Sequence, residues 1–266
     1  MKERLLTLLF ALAALLCFYV LFFPKPAARA QTLPLTTEGG AGGYLAAWRW
    51  LEAENVPLAS LRLRYDRLDS SSVTAAATGN VLITTVPARL PFQPAEWPLL
   101  DRWIARGNTL LIMAALDDTP LWAVGANVEG LTALQRMTRL RFTAAPAATD
   151  LRQDLRHWME SQRIAFTALG RHPLLRDVHS LEAVSELPAS DWRAEPMDAV
   201  LPLAIARRAP SGQSVLWLKP EGRGQLIVCA FATPFTNQEL GQADNALLLS
   251  NIIAWSRSGA GRVIFD

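Results

Sequence analysis

VLITTV (residues 81–86) and TLLIMAA (residues 109–115) are two apolar runs of strand length. Neither run alternates between apolar and polar residues, which is typical of strands covered on both faces of a sheet. The segment between them carries apolar residues at helical spacing and ends at a glycine, a common C-terminal cap: Trp97, Leu100, Ile104 and Gly107. This order predicts a βαβ unit with two parallel strands.

The rest of the chain shows helix and strand signals that are less regular. Helical spacing predicts helices at 44–54, 129–140, 150–162 and 243–256, and apolar runs predict strands at 200–206, 214–218, 225–231 and 262–266. Residues 140–200 mix short apolar runs with turns, so we expect an irregular or inserted middle there. We therefore predict a mostly parallel, three-layer α/β domain at 44–266, which stops where its last strand should continue and whose C-terminus we expect to be truncated.

A long uncharged segment precedes this domain. Leu5–Phe23 contains nineteen residues without a charge, and as a helix it would reach about 28 Å, close to the ~30 Å of a bilayer core. It predicts an N-terminal transmembrane helix, with the anchor at 1–23 and a Pro- and Gly-rich linker at 24–43.

A cleaved signal peptide is the alternative to the anchor. Ala28-Arg29-Ala30 has the Ala-x-Ala form of a cleavage site, and cleavage after Ala30 would release the domain. The length of the apolar run favours a retained anchor. The positive charges on its two sides are nearly balanced, and the usual arrangement for a leader-like first helix predicts an exported domain.

The amino-acid composition argues against two classes of function, nucleic-acid binding and sugar binding. Charged residues make up 19% of the chain and the net charge is +2, which gives no basic field for a nucleic acid. Cys17 lies in the apolar N-terminal run and Cys229 in a predicted strand, so the domain has no disulfide pair. The nine tryptophans fall mostly at core-facing positions, which favours packing over sugar binding.

Six short segments of the chain carry a family resemblance: Gly43–Glu52, the strand at 81–86, Ala105–Leu111, Leu116–Pro120, Phe235–Asn237 and Asp244–Ala246. In these segments the chain resembles a bacterial family of unknown function, domain-of-unknown-function family 4350. The resemblance implies a class I glutamine amidotransferase-like domain in a protein of the bacterial envelope. Together with the one predicted span, it predicts a single-pass protein of the bacterial inner membrane with its soluble domain in the periplasm. It also implies protein partners in the envelope and an accessory role beside a MoxR-type ATPase. Such proteins usually carry a second membrane span, whereas this chain ends at Asp266.

An amidotransferase-like fold raises the question of a nucleophile. In working enzymes of this class a cysteine sits on a tight turn after a strand, where a histidine activates it. The comparable turn here offers Leu116, Asp117 and Asp118. Cys229 lies inside an apolar strand, as a core residue does. The sequence therefore favours a non-catalytic protein over an enzyme and assigns no catalytic residue.

The two aspartates are the best polar candidates, because they follow the carboxyl end of a predicted parallel strand. Open α/β sheets place ligands at this edge, and the same edge could include Asn237, Asp244 and Asn245. These five residues form the predicted ligand or partner edge. Turn and helix-capping chemistry explains them equally well.

Neither a metal nor a cofactor is expected. His157, His172 and His179 lack the spacing of metal ligands, and no H-E-x-x-H motif joins them. The glycines at 39–43 do not follow a strand and miss the G-x-G-x-x-G spacing of a dinucleotide site.

Two main hypotheses of function follow. The first is a membrane-anchored, non-catalytic envelope protein that binds a partner protein or a small ligand. The alternative is a carboxylate-dependent hydrolase or amidase that acts on cell-envelope material through Asp117 and Asp118. A sugar-binding module that uses exposed tryptophans is a third hypothesis.

Overall fold

The computed structural model describes Arg4, residues 10–15, Phe18, and residues 32–70, 72–88, 90, 92–123, 128–144, 161–169, 171–187, 192–197, 203–208 and 211–266. The chain divides into two units, Met1–Gln31 and Thr32–Asp266. In the first unit the described residues are helical. The second unit contains all the elements that follow.

Four α-helices are described in the second unit: α1 (Leu45–Ala53), α2 (Trp97–Ala105), α3 (Val128–Thr138) and α4 (Asn245–Ser256). The described strands are β1 (Leu58–Ser60), β2 (Val81–Val86), β3 (Thr109–Ala114), β4 (Leu140–Ala144), β5 (Gln162–Ala168), β6 (Ser180–Ser185), β7 (Trp192–Pro196), β8 (Leu203–Arg208), β9 (Ser214–Glu221), β10 (Gly224–Cys229) and β11 (Val263–Phe265). Short 3-10 turns lie at Tyr65–Arg67, Pro94–Glu96, Leu121–Ala123 and Pro173–Leu175.

One nine-stranded sheet organises the domain, in the order β1-β11-β2-β3-β10-β9-β8-β5-β6. The first five strands are parallel, and from β10 onward every neighbouring pair is antiparallel. Strands β4 and β7 form a separate two-stranded antiparallel sheet. We call the two parts of the large sheet the parallel half and the antiparallel half.

The βαβ unit predicted from residues 81–115 is confirmed. β2 and β3 are parallel, with Leu82 opposite Leu110, and every residue of both strands is buried. The crossover through α2 runs from β2 to β3, whereas the crossover through α4 returns from β10 to β11 in the opposite direction. Because parallel crossovers are right-handed, α2 and α4 lie on opposite faces of the sheet.

The predicted fold class is nevertheless wrong. The sheet is mixed, because four of the eight pairings in the large sheet are antiparallel. Short connections cause this: only Gly222 and Arg223 separate β9 from β10, and strands joined by so tight a turn must be antiparallel. Much of the antiparallel half comes from the region expected to be irregular.

The N-terminal part of that prediction is not supported either. Among the described residues, no helix is long and apolar enough to cross a membrane. Of the predicted anchor, Leu5–Phe23, only residues 10–15 and Phe18 are described, and the rest lies outside the described residues.

Most other predicted elements of the domain are confirmed within a few residues. The predicted helix at 150–162 lies outside the described residues except for its last two, of which Gln162 begins β5.

Gly224, at the start of β10, packs directly against the backbone at the end of α2 and the start of β3. A Cβ placed there would overlap the carbonyl oxygens of both Ile104 and Asn108. These are backbone atoms at the end of α2 and the start of β3, so they cannot move aside without displacing both elements. We expect Gly224→Ala to lower the free energy of unfolding by about 3 kcal/mol through overpacking.

Urea denaturation followed by circular dichroism measures this effect. Gly241→Ala is the matched control, because a Cβ at Gly241 would meet no atom within 4 Å. Equal stability of the two variants would contradict the packing assignment.

Candidate functional site

The carboxyl ends of β3 and β10 lie side by side, which brings two polar segments together. Leu116–Asp118 follows β3, and residues 230–236 follow β10. Asp118 is fully buried, and its carboxylate accepts hydrogen bonds from the Ala232 amide at 2.8 and 2.9 Å, the Thr233 amide at 2.8 Å and the Thr233 hydroxyl at 2.8 Å. The side chain therefore fixes the path of the chain after β10.

Burial sets the ionisation of this carboxyl group. Removal from water raises the pKa of Asp118 from 3.8 to about 7, although the hydrogen bonds from Ala232 and Thr233 oppose the shift. Asp118 is therefore the residue in this segment whose charge changes near neutral pH.

Asp117 is also buried and bonds a different part of the domain. One carboxylate oxygen accepts the Trp192 amide at 3.0 Å and lies 3.9 Å from a guanidinium nitrogen of Arg208. The two neighbouring carboxylates thus point to separate protein partners. This geometry is that of structural groups, and it does not resemble a pair that shares a metal or a proton.

Asn237 fastens the glycine-rich segment to the start of α1. Its side-chain oxygen accepts the Ala46 amide at 2.7 Å, and its side-chain nitrogen donates to the carbonyls of Glu38 at 2.9 Å and Gly40 at 2.6 Å. All three partners are backbone groups, so Asn237 acts here as a bridge between loop and helix.

Asp244 and Asn245 bind the backbone of β6. Asp244 precedes α4, and one of its carboxylate oxygens accepts the amides of His179 at 2.8 Å and Ser180 at 3.0 Å. These bonds lower the pKa of Asp244. Asn245 accepts the Glu182 amide at 3.1 Å and donates to the Glu182 carbonyl at 2.8 Å. The prediction that the five residues form a ligand or partner edge stays a prediction, since their described bonds are all internal.

A second polar cluster, missed from the sequence, lies at the carboxyl end of the parallel half. Asp266 follows β11, Thr84 lies in β2, and Tyr65 lies in the turn after β1. One oxygen of Asp266 accepts the Tyr65 hydroxyl at 2.6 Å and the Thr84 hydroxyl at 2.9 Å, and the two hydroxyls are 3.0 Å apart. Burial, and then the nearby Asp266, raise the pKa of Tyr65 well above its ordinary value, so Tyr65 stays a hydroxyl.

Two cavities meet at this cluster and share Leu35 and Asp266. The first, of about 260 Å³, is lined by Leu33, Pro34, Leu35, Thr85, Pro87, Ala88, Trp122 and Asp266. The second, of about 230 Å³, is lined by Leu35, Thr36, Thr37, Ser60, Leu61, Arg62 and Asp266. We call the first the Asp266 cavity.

The Asp266 cavity lies where the topology of the sheet changes direction. β2 and β11 are neighbours, but the crossover after β2 and the crossover that ends at β11 pass on opposite faces of the sheet. Open α/β sheets bind ligands outside the carboxyl ends of strands at such a point. Thr84, a polar residue inside an apolar run, was the available sequence signal for this site.

The chemistry at this site suits binding. A carboxylate accepts hydrogen bonds and attracts cations. Among the described residues there is no group of three or more His, Cys, Asp or Glu side chains that could hold a metal ion.

Removal of the Asp118 carboxylate should destabilise the domain. Asp118→Ala leaves the buried amides of Ala232 and Thr233 without their acceptor, and we expect a loss of about 3 kcal/mol in the free energy of unfolding. Asp66→Ala is the control, because Asp66 and its ion-pair partner Arg67 are both exposed. Equal urea midpoints for the two variants would contradict the structural role of Asp118.

Stability should also depend on pH through Asp118. Its folded-state pKa of about 7 exceeds the ordinary aspartate pKa of 3.8 that we take for the unfolded chain, so the folded state binds the extra proton between these values. We therefore expect the free energy of unfolding to fall as pH rises from about 4 to 7, by up to about 1.4 kcal/mol per pH unit relative to Asp118→Asn. Parallel pH profiles for the two proteins would contradict this assignment.

Comparison with solved structures supports the fold described above. The N-terminal domain of mmIFT52 matches with a TM-score of 0.55 at 16% sequence identity, covering 87% of this chain and 96% of that chain. This likeness concerns the fold alone.

Other solved structures match more weakly. A cytoplasmic protein from Salmonella typhimurium matches with a TM-score of 0.43 at 12% identity, covering 75% of this chain and 77% of that one. A β-galactosidase from Bacillus circulans sp. alkalophilus matches with a TM-score of 0.37 at 14% identity, and the match covers 64% of this chain and 22% of the enzyme. These two similarities carry no conclusion about fold or function.

Comparison of sequences gives the family. A search of curated proteins found no match. The family described as "Domain of unknown function (DUF4350)" matches residues 39–253, which is most of the chain. The protein therefore belongs to the DUF4350 family.

Proposed function

We propose that this protein is a non-catalytic binding module that takes a small ligand in the Asp266 cavity. The observation that carries the proposal is the meeting of two cavities at a carboxylate that buried hydroxyl groups hold in place. The location at the switch point of the sheet agrees with the general placement of ligands in open α/β folds.

The carboxylate of Asp266 is held by a rigid support. The Tyr65 ring stacks on Phe92 at 4.8 Å between ring centroids, and Phe92 stacks on Trp97 at 4.9 Å. Thr84 is buried within β2. Groups fixed in this way lose little conformational entropy when a ligand binds, which favours recognition.

The lining of the cavity suggests the kind of ligand. Its walls are mainly apolar, with Leu33, Pro34 and Trp122 among them, and Asp266 is the acidic group at its edge. An apolar body with one ammonium or other hydrogen-bond donor complements such a site. The volume of about 260 Å³ lies just below the usual range of ligand sites, about 300–1,000 Å³, and suits a compact molecule.

Other residues argue against the alternative of a hydrolase or amidase. Asp117 and Asp118, on which that alternative depends, are buried and accept hydrogen bonds from backbone amides. Cys229 is buried as well, and burial raises the pKa of its thiol far above the range of a reactive thiolate. Neither set of side chains presents a nucleophile or base to a cavity described above.

The cellular location and the protein partners stay predictions. The N-terminal apolar run predicts a periplasmic domain at the bacterial inner membrane, and the family resemblance implies protein partners in the envelope and an accessory role beside a MoxR-type ATPase. The ligand-binding proposal stands independently of that setting, since it rests on the residues around Asp266.

Binding of simple aromatic amines tests the proposal. With the full ¹⁵N-labelled chain, we expect benzylamine and tryptamine to shift the Trp122 indole resonance at millimolar concentration, and benzoate and indole-3-acetate to leave it unchanged. Charge attraction to Asp266 is the reason. Ala88→Trp should abolish the shifts by filling the cavity, and Asp266→Asn should remove the preference for amines.

Two controls make this test specific. Ala260→Trp places the same side chain at an exposed position and should preserve binding, as should Asp117→Asn. Shifts that survive Ala88→Trp, or equal binding of amines and carboxylates, would overturn the proposal.

A further inference from the structure

The large sheet closes one of its two outer edges with side chains. β6 is the outer strand of the antiparallel half, and its outward-facing residues are Ser180, Glu182 and Val184. The Asp244 carboxylate accepts the Ser180 amide and the Asp244 backbone amide donates to the Ser180 carbonyl, while the Asn245 side chain bonds both the amide and the carbonyl of Glu182. The Thr233 hydroxyl, whose proton goes to Asp118, accepts the amide of Val184 at 2.9 Å. No strand can add to this edge without breaking these bonds.

The opposite edge, at β1, is open. The Pro57 carbonyl accepts the Val263 amide at 2.9 Å, and the Leu61 amide donates to Phe265 at 2.7 Å, so alternate residues of this strand face β11. The backbone amides and carbonyls of Leu58 and Ser60 point away from β11, toward the outer edge of the sheet. Within the described part of the chain, the amides and carbonyls of these two residues have no hydrogen-bond partner. Such an edge is a template for a further strand.

A trough of about 480 Å³ runs beside this edge, between β1 and α1. Its lining residues are Thr36, Thr37, Leu45, Trp48, Arg49, Glu52, Ser60 and Arg62. Leu45 and Trp48 provide half-buried apolar surface, whereas Arg49 and Glu52 are exposed charges of opposite sign on one turn of α1. The trough therefore offers both an apolar floor and a self-complementary charge pattern.

We infer that a second copy of this chain occupies the β1 edge, through an antiparallel β1–β1 pairing about a two-fold axis at Ala59. An axis through Ala59 places Leu58 of one copy opposite Ser60 of the other. Since both residues face outward, the pairing forms four backbone hydrogen bonds. Such an isologous contact makes a closed dimer whose sheet continues through both copies.

The charges on α1 favour a second copy over an unrelated extended peptide. A two-fold axis beside α1 turns Arg49 of one copy toward Glu52 of the second copy, and the reciprocal pair forms at the same time. A peptide on the three-residue edge of β1 would gain the same few backbone bonds without these helix contacts. This inference goes beyond the proposed ligand site and does not depend on it.

A proline at the outward position tests the pairing. The Ser60 amide is not used within the described domain, so Ser60→Pro should preserve the fold while it removes two of the four intermolecular hydrogen bonds. We expect the dimer dissociation constant to rise at least about thirtyfold, measured by sedimentation equilibrium on the full chain in dodecyl maltoside. Ser60→Ala keeps the amide and should dimerise as the wild type does.

Circular dichroism and thermal unfolding distinguish a variant that fails to fold from one that folds but does not dimerise. A Ser60→Pro variant with the wild-type spectrum and a monomer mass supports the inference. A monomeric wild type at 100 μM protein, or a Ser60→Pro variant that dimerises as tightly as Ser60→Ala, overturns it. If Ser60→Pro loses the wild-type spectrum, the cross-linking and charge exchange below decide.

Cross-linking tests the position of the axis. In a Cys17→Ser background, Ala59→Cys should give a covalent dimer under mild oxidation, because residues on the axis of an antiparallel pair lie close together. Ser180→Cys places a cysteine on the closed β6 edge and should give none. Equal cross-linking at both positions, or none at position 59, contradicts the proposed arrangement.

Charge exchange tests the orientation of α1. We expect Arg49→Glu and Glu52→Arg each to raise the dissociation constant about tenfold, because each brings like charges together twice. The double variant should restore the wild-type value within about threefold. Additive losses in the double variant would contradict the Arg49–Glu52 contact.

Discussion

The structure depends most on the hydrogen bonds that Asp118 and Thr233 form between the two halves of the sheet. Asp118 stands at the carboxyl end of β3 and accepts the amides of Ala232 and Thr233, while the Thr233 hydroxyl accepts the Val184 amide of β6. The antiparallel half must curl back for β6 to reach this segment, and Phe166 stacks on Phe231 at 4.7 Å where it does so. A buried acceptor and its donors are costly to separate, so one side chain constrains strands that are distant in the sheet.

The two ends of the sheet differ in how the backbone of the outer strand is hydrogen-bonded. The polar residues after β10 satisfy the backbone of β6 and protect that edge from further pairing. Among the residues that the structure describes, the parallel half has no comparable closure at β1, and its carboxyl end holds the Asp266 cavity. We therefore assign ligand binding to the parallel half. Asp117 and Asp118, the residues that the sequence offers as candidates for a site, instead stabilise the antiparallel half.

The sequence predicts well those features that depend on near neighbours. β2, α2 and β3 are identified by continuous apolar runs and helical spacing within about 35 residues. The position of Asp117 and Asp118 after β3 follows from the same local signals. The partners of Asp118 lie at 114 and 115 residues' separation, and no periodicity encodes which backbone amides a carboxylate will meet.

The same reason explains the site that the sequence missed. Asp266 meets Thr84 across 182 residues and Tyr65 across 201. The mixed character of the sheet was also out of reach, because the order of β5, β6, β8 and β9 follows from pairings between distant segments. The short connections between β8 and β9 and between β9 and β10 are the local traces of antiparallel pairing.

Amide hydrogen exchange along β6 tests the central claim most directly. If the side chains of Thr233, Asp244 and Asn245 close this edge, the outward amides of Ser180, Glu182 and Val184 exchange as slowly as the inward amides of Leu181 and Ala183. Fast exchange at the three outward amides, alternating with slow exchange at the inward ones, would show an open edge and contradict the account.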